Sequence, residues 1–317
     1  MRILLTGATG FVGAELKKSF SEEDLILYSR RPIDGKSEFR LLDSIQKDDF
    51  KVVLRDVDVV VHLAGLAHQK GRGGLFRDND FYEVNTVFTE RLARAAASAG
   101  VKHFIFMSTI KVNGENTSSD SKFKATDEPA PTDVYARSKL EAEQHLFRIS
   151  AESRMVVSVV RPPLVYGPGA RANFGSLMKM SKYAVIFPTG KNVGRRSLVS
   201  IWNLCSLIKH LVDCVPSESR IYLVSDDSDC TIFELISFLR TSLGMKTYPV
   251  SLNLNLLYCV FRMLKLEAYY NKLFSAQQID ISDTMRILNW KPIHTTKAGV
   301  AETVSQRTMI VRDKQNI

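Results

Sequence analysis

The chain has 317 residues, of which 45% are hydrophobic and 24% charged, enough apolar material to bury a core without disulfides or structural metal. The formal net charge of +9 suits anionic small ligands. The Lys and Arg residues are scattered with no aromatic-interleaved basic stripe, which argues against a nucleic-acid surface. Cys205, Cys214, Cys230 and Cys259 form no CxxC pair and have no metal-ligand spacing with histidine. Free thiols in a reducing cytoplasm are therefore expected, and no metal centre.

Met1 runs straight into Arg2-Ile3-Leu4-Leu5-Thr6-Gly7, which predicts no signal peptide and a cytoplasmic protein. Ile3-Leu4-Leu5 reads as a buried strand, followed by a glycine-rich turn and a helix through Leu16 to Phe20. Leu25-Ile26-Leu27-Tyr28 is a second strand, Phe39-Arg40-Leu41-Leu42 a third, and Val57 to Leu63, continuous in Val, a fourth suited to a sheet covered on both faces. Asn85 to Ala99 repeats Ala and Leu at helical spacing and stops at Gly100. Phe104 to Met107 and Met155 to Val160 are the fifth and sixth strands. This alternation predicts an α/β fold, a Rossmann-type doubly wound parallel sheet.

After Arg161 the prolines and glycines at 162, 163, 167, 168 and 169 break the pattern, and Ile221 to Val224 brings the chain back to the sheet. The expected division is a dinucleotide-binding domain over 1–165 with a return at about 196–226. A smaller C-terminal substrate subdomain would take about 166–195 and 227–317. Thr231-Ile232-Phe233-Glu234 carries a capping-box pattern. Leu252 to Leu266 is the most apolar stretch, but Asn253, Asn255, Arg262 and Lys265 make it too polar to span a bilayer. A partly buried helix is expected there, with an interfacial helix near the inner membrane face as the alternative.

Thr6-Gly7-Ala8-Thr9-Gly10-Phe11-Val12-Gly13 lies between the first strand and the first helix. Gly7 permits the tight turn, Gly10 lets the backbone approach a pyrophosphate at the helix end, and Gly13 allows close helix–sheet packing. Ser29-Arg30-Arg31, at the end of the second strand, supplies no carboxylate. That favours the 2′-phosphate of NADP(H) over NAD(H), the alternative being two solvated arginines. In Tyr135-Ala136-Arg137-Ser138-Lys139 the Tyr and Lys are four apart and share a helix face. A lysine there lowers the phenol pKa and can hold a nicotinamide ribose, so the tyrosine can exchange a proton in an alcohol–ketone interconversion. Ser108-Thr109 ends the fifth strand at the ligand-binding edge and adds a hydroxyl.

The segments TGATGFVG, HLAG, MSTIKVNG, YARSK and RPPLVYGPG together resemble extended short-chain dehydrogenase/reductases of the NAD-dependent epimerase/dehydratase family, over nearly the whole chain. The resemblance implies catalytic roles for Thr109, Tyr135 and Lys139 and places Asn85 near the active site; a helix-interior asparagine satisfied by a backbone partner is the alternative. It implies cofactor contacts from Gly7, Thr9, Gly10, Phe11, Val12, Gly13, Ser29, Arg30, Arg31, Leu63, Ala64, Gly65 and Ser108. Asp43 matches the residue that reaches the adenine, and Pro162 and Tyr166 the nicotinamide pocket. Asn173 and Arg196 match holders of the nucleotide diphosphate, and Lys111 and Phe187 complete the substrate side. Leu164 departs from an asparagine common in the family, and Arg196-Ser197-Leu198-Val199-Ser200-Ile201 keeps only the arginine and apolar positions of its RDYIHV pattern.

Within the family, Ile110 to Glu115, Arg171 to Phe174 and Asp280-Ile281-Ser282 are similar to bacterial 4-keto-sugar reductases of surface-polysaccharide synthesis. The expected function is NADPH-dependent reduction of the C4 ketone of a UDP-4-keto-6-deoxy-N-acetylhexosamine. The alternatives are a UDP-N-acetylglucosamine/UDP-glucose 4-epimerase with retained NAD and, on the same fold, a non-catalytic dinucleotide sensor. The expected partner is a UDP-sugar, with a homodimer as the candidate assembly. His62 reads as a satisfied core histidine, and His68 to Gly74 as a flexible basic loop or lid.

Overall fold

The computed structural model describes residues 1–29, 37–41, 50–67, 70–71, 74–118, 121–170, 174, 177–178, 181, 183, 186–189, 193–251, 254–267, 270 and 274–315. The strands in chain order are β1 (Ile3–Thr6), β2 (Leu25–Ser29), β3 (Glu38–Leu41), β4 (Val59–His62), β5 (Lys70–Gly71), β6 (Gly74–Leu75), β7 (His103–Met107), β8 (Val156–Arg161), β9 (Leu164–Tyr166), β10 (Ile186–Thr189), β11 (Leu198–Ser200), β12 (Arg220–Leu223) and β13 (Tyr248–Ser251). The first five helices are α1 (Phe11–Leu16), α2 (Phe50–Val53), α3 (Asp78–Phe81), α4 (Phe88–Ser98) and α5 (Val134–Ala151).

Seven strands form one sheet in the order β12-β8-β7-β4-β1-β2-β3, every neighbouring pair parallel. Successive side chains of a strand point to opposite faces, and the sequence uses both. Ile3, Leu5, Leu25, Leu27, Val59, Val61 and Ile105 pack on one side with Leu204, Leu207, Ile208 and Leu211 of the Ile201–Asp213 helix. Leu4, Ile26, Val60, Phe104 and Phe106 pack on the other with Phe88, Leu92 and Ala96 of α4 and Leu146 of α5. A sheet buried on both faces needs apolar residues at every position, which is why these strands read as unbroken runs. The strand order reverses at β1, so the carboxyl ends of β1 and β4 flank the crevice where doubly wound sheets bind ligands.

Sequence and structure differ in several places. The alanine-rich helix begins earlier than expected: α3 leads through a π-helical segment, Tyr82–Val87, into α4. The basic loop after β4 contains a short antiparallel hairpin, β5 with β6. Helix Leu254–Met263 leaves Val260 and Met263 exposed, and Leu264 just beyond it is exposed as well. Among the described residues no helix is long and apolar enough to cross a membrane, and all four cysteines are free thiols. The capping box forms: the Glu234 amide donates to Thr231 Oγ1 at 3.1 Å and the Thr231 amide to Glu234 Oε2 at 2.8 Å.

Beyond β8 the chain builds a third apolar cluster from Tyr166, Phe174, Leu198, Leu235, Ile236, Leu239, Val300 and Val304. Asp226 anchors it to the sheet. Its carboxylate accepts from Tyr166 Oη at 2.6 Å, the Ser200 amide at 2.7 Å and Asn203 Nδ2 at 2.6 Å. Burial raises its pKa and these donors hold it back. Asp226→Ala leaves several buried donors short of an acceptor, and is expected to cost roughly 2–4 kcal/mol in urea unfolding. A loss under about 0.5 kcal/mol, the level of an ordinary surface change, would contradict this.

The segment 274–280, which leaves a helix at Phe274, lies between two other pieces of chain. On one edge the Gly194 amide donates to Phe274 O, the Gln277 amide to Arg195 O and the Ser197 amide to Gln277 O. On the other the Thr117 amide donates to Ala276 O, the Phe123 amide to Gln278 O and the Asp280 amide to Phe123 O.

Candidate active site

The glycine turn closes tightly on β4. Gly7 has φ +72°, and a Cβ there would lie 2.8 Å from both Ala64 N and Leu63 C. A Cβ on Gly13 would lie 2.3 Å from Gly7 O, so only glycine lets α1 approach the turn. Thr9 and Gly10 are exposed at the start of α1, while Phe11 and Val12 are partly buried and pack inward. Leu63 and Ala64 line the turn, and Gly65 is exposed beyond them. A Cβ on Gly65 would come within 2.9 Å of Asn85 Oδ1 and 3.0 Å of Lys139 Nζ. This cradle fits a dinucleotide: backbone is open at Thr9 and Gly10, and the missing side chain of Gly65 keeps the approach to Lys139 clear. Ser29 ends β2, opposite Leu41 of β3. Arg30, Arg31, Asp43 and Asn173 lie outside the described residues.

Three consecutive residues at the end of β7 engage three residues spaced one turn apart along α5. Lys139 Nζ donates to Met107 O at 2.9 Å, the Ser108 hydroxyl donates to Glu143 Oε1, and Thr109 hydrogen-bonds Tyr135. Asp133 caps α5, accepting from the Ala136 amide at 2.7 Å, which starts the helix with Tyr135 in its first turn. Burial pushes the Tyr135 phenol up to about 12, while the Thr109 hydrogen bond and the Lys111 charge pull it down. Buried Lys139 stands 4.5 Å over the Phe106 ring. Its pKa is lowered to about 7 by burial, with Glu143 opposing.

The buried Ser108 hydroxyl points to Glu143. Glu143 also takes Arg161 in a two-pronged pair, with Nε at 3.0 Å from Oε1 and Nη2 on Oε2. Arg161 Nη1 donates to Asn113 Oδ1 at 2.8 Å. Glu143 and Arg161 escaped the motif reading. The signal that could have found Glu143 is its spacing, Tyr135, Lys139 and Glu143 falling on one helix face.

Asn85 sits in the π-helical segment, fully buried. Its Oδ1 accepts from the Leu66 amide at 2.8 Å, and its Nδ2 donates to Leu66 O at 3.0 Å and Ser138 Oγ at 2.9 Å. With both ends of the amide engaged, Asn85 holds the loop after β4, the satisfied helix-interior arrangement given as the alternative for it. His62 is the core histidine expected. Thr89 gives its proton to Asn85 O at 2.7 Å, so it accepts from His62 Nε2 at 2.9 Å. Nδ1 then accepts from Thr6 Oγ1 at 2.7 Å, which itself receives the Ala64 amide at 3.1 Å. Burial lowers the pKa of His62 to about 3, with Lys139 adding to the effect.

Pro162 is buried, and its carbonyl accepts from the Ile110 amide at 2.9 Å. Tyr166 belongs to the third apolar cluster. It is fully buried, stacked on Phe174 at 5.2 Å with its hydroxyl on Asp226; a Cβ on Gly299 would lie 2.3 Å from that hydroxyl. Leu164 is 38% exposed. Lys111 Nζ donates to Asp133 Oδ2 at 2.7 Å and Glu115 Oε1 at 2.8 Å. Burial alone would lower its pKa, but the two carboxylates raise it. Arg196 pairs through its backbone with Cys230, and its pKa is lowered by burial with Glu115 opposing. Phe187 lies in β10, paired with Pro249 of β13; its side chain is outside the described residues. Among the described residues no cluster of His, Cys, Asp and Glu could hold a metal.

The sequence model of the NAD dependent epimerase/dehydratase family matches residues 3–200. The chain is 38% identical over 307 residues to the UDP-glucose 4-epimerase of Vibrio cholerae, covering 95% of this chain and 94% of that one. It is 25% identical over 252 residues to the N-acetyl-alpha-D-glucosaminyl-diphospho-ditrans,octacis-undecaprenol 4-epimerase of Escherichia coli O157:H7, covering 77% and 73%. Among solved structures, the UDP-glucuronic acid 4-epimerase from Bacillus cereus in complex with NAD superposes with TM-score 0.76 at 19% identity, over 98% of this chain and 99% of that one. At that identity the superposition speaks for the fold alone. On its sequence match, its near-full-length relative and its seven-stranded parallel sheet, the chain belongs to the NAD dependent epimerase/dehydratase family.

Proposed function

We propose that the chain is a UDP-hexose 4-epimerase that keeps NAD bound through turnover. The observation that carries this reading is the similarity to the Vibrio cholerae UDP-glucose 4-epimerase over nearly the full length of both chains. The grouping of Thr109, Tyr135 and Lys139 at one sheet edge supports it, as does the second relative, also named a 4-epimerase. The glycine turn, Gly65 and Lys139 would hold the dinucleotide. When bound, NAD supplies a hydride acceptor and donor at its nicotinamide. Tyr135 takes the proton of the C4 hydroxyl as that carbon is oxidised, and gives it back to the ketone oxygen on reduction from the other face. Thr109 orients that oxygen. Lys139 supports the phenolate by charge, and a protonated Lys139 is needed for this. Arg196 and Lys111 stand on the substrate side, with residues 166–195 and 227–317.

A second reading is favoured by Ser29-Arg30-Arg31, which lacks a carboxylate for the ribose of NAD. On it the chain is an NADPH-dependent reductase of a UDP-4-keto-6-deoxy-N-acetylhexosamine. Proton NMR separates the two. The epimerase reading expects UDP-glucose or UDP-N-acetylglucosamine to interconvert with its C4 epimer with no net nucleotide consumed. Stoichiometric oxidation of NADPH by the 4-keto sugar, with no interconversion of C4 epimers, would overturn it. Replacing Arg30 and Arg31 by Ala should then weaken NADPH more than NADH; equal losses would remove the arginines from 2′-phosphate recognition.

A further inference from the structure

The end of β7 and the face of α5 are joined at three successive points, and only two lie at reacting groups. The third, Ser108 to Glu143, is deep in the molecule. Glu143 and Arg161 are each about 2% exposed at the side chain. Arg161 comes from β8, Asn113 follows the helical turn Ile110–Val112, and Asn113 Nδ2 in turn donates to Lys124 O at 2.8 Å. A buried carboxylate of this kind is rarely kept for stability alone, because well-packed apolar residues of similar volume often replace such a pair without loss. Its placing is informative: Glu143 is one helical turn beyond Lys139, itself one turn beyond Tyr135.

We propose that Glu143 is a positioning residue for the Tyr135–Lys139 pair, locking α5 in register with the end of β7 and facing Lys139 with a fixed negative charge. Arg161 and Ser108 hold that carboxylate in place. The other charged or titratable groups around Lys139 are His62 of β4, neutral at physiological pH, and Tyr135 on the same helix. Arg161 of β8 stands behind Glu143, and Asp133 and Lys111 pair with each other near Tyr135. Of these, Glu143 alone favours the charged form of Lys139 in the buried site. Without it Lys139 would lose its proton at lower pH and no longer stabilise the Tyr135 phenolate.

The proposal rests on the proposed function only for its kinetic arm, so the two are tested apart. In full-length protein labelled with carbon-13 at lysine Cε, the Lys139 resonance is assigned by its loss in Lys139→Met. Its titration midpoint in the wild type is expected near 7. In Glu143→Gln it should fall by about one pH unit or more, the scale on which a nearby opposite charge acts. The kinetic arm measures C4 epimerisation. Glu143→Gln should lower kcat by about tenfold or more at pH 8 and by less at pH 6, with KM for the UDP-hexose within about twofold, since a tenfold change in rate corresponds to one pH unit of lost protonation. If Glu143→Gln does not fold, Glu143→Gln/Arg161→Met carries the same measurements with no unpaired buried charge. An unchanged Lys139 midpoint in a folded variant overturns the proposal, as does a kcat loss equal at both pH values. A wild type that epimerises nothing removes the proposed function, while the titration still decides the role of Glu143.

Discussion

Replacing Tyr135 by Phe is expected to cut kcat by about 10²- to 10⁴-fold, the range of general acid–base catalysis, and to leave nucleotide affinity nearly unchanged. The ring survives the substitution, with its edge-on contact to Phe81 at 6.5 Å and its place in the first turn of α5. Only the hydroxyl is lost, and with it the group beside Thr109 that carries the C4 proton on the proposed function. On the proposed function Lys139 supports the phenolate by charge, so Lys139→Met should approach the same loss in rate. Steady-state kinetics together with a fluorescence titration of bound nucleotide check both halves. Turnover within a few-fold of wild type would remove Tyr135 from proton transfer, and a large loss of nucleotide affinity would recast it as a binding residue.

Mild acid is expected to destabilise the folded chain through two buried histidines. His62 and His103 are fully buried, and burial lowers their pKa to about 3 and about 4. In the unfolded chain each titrates near 6.5. Between these values the unfolded state binds protons that the folded state refuses, so stability falls as pH drops below 6.5 and levels off only near the folded pKa values. From pH 7 to pH 5 the loss is about 2 kcal/mol per histidine, roughly 4 kcal/mol for the two. Urea unfolding at pH 7, 6 and 5 reads this slope. His103→Gln keeps a polar partner for Ser158, which His103 now meets at 2.8 Å, and should remove about half of it. A slope that persists in His103→Gln and His62→Gln alike would place the acid sensitivity elsewhere.

What could be read from the sequence and what could not differ by the range of the interaction. The unbroken valines of β4, the glycine turn and the Thr231–Glu234 cap are local, and each appears where its residues predict. Tyr135 and Lys139 are one helical turn apart, so their shared face needed only the period of a helix. The partners of Asn85, Leu66 and Ser138, were not legible, because they lie 19 and 53 residues away. Nor was the environment of Tyr166, which comes from Asp226, Thr296 and Gly299, far along the chain. The ion pair of Glu143 with Arg161 joins a helix to a strand across the sheet. No local pattern announces which charged residues will meet inside a core.

The segment 274–280 has a consequence for how an active molecule comes into being. Its backbone is claimed on one edge by 194–197 and on the other by Thr117 and Phe123, both made much earlier in synthesis. A growing chain can therefore complete β1 to β8, and the helix bearing Tyr135, while two backbone edges still wait for a partner. Contacts of such long sequence separation close slowly, because the loop entropy is spent before the hydrogen bonds form. Activity should thus appear only after release of nearly the whole chain from the ribosome. Until then the waiting edges are open to wrong partners, which makes this stage the one at which a chaperone would matter most.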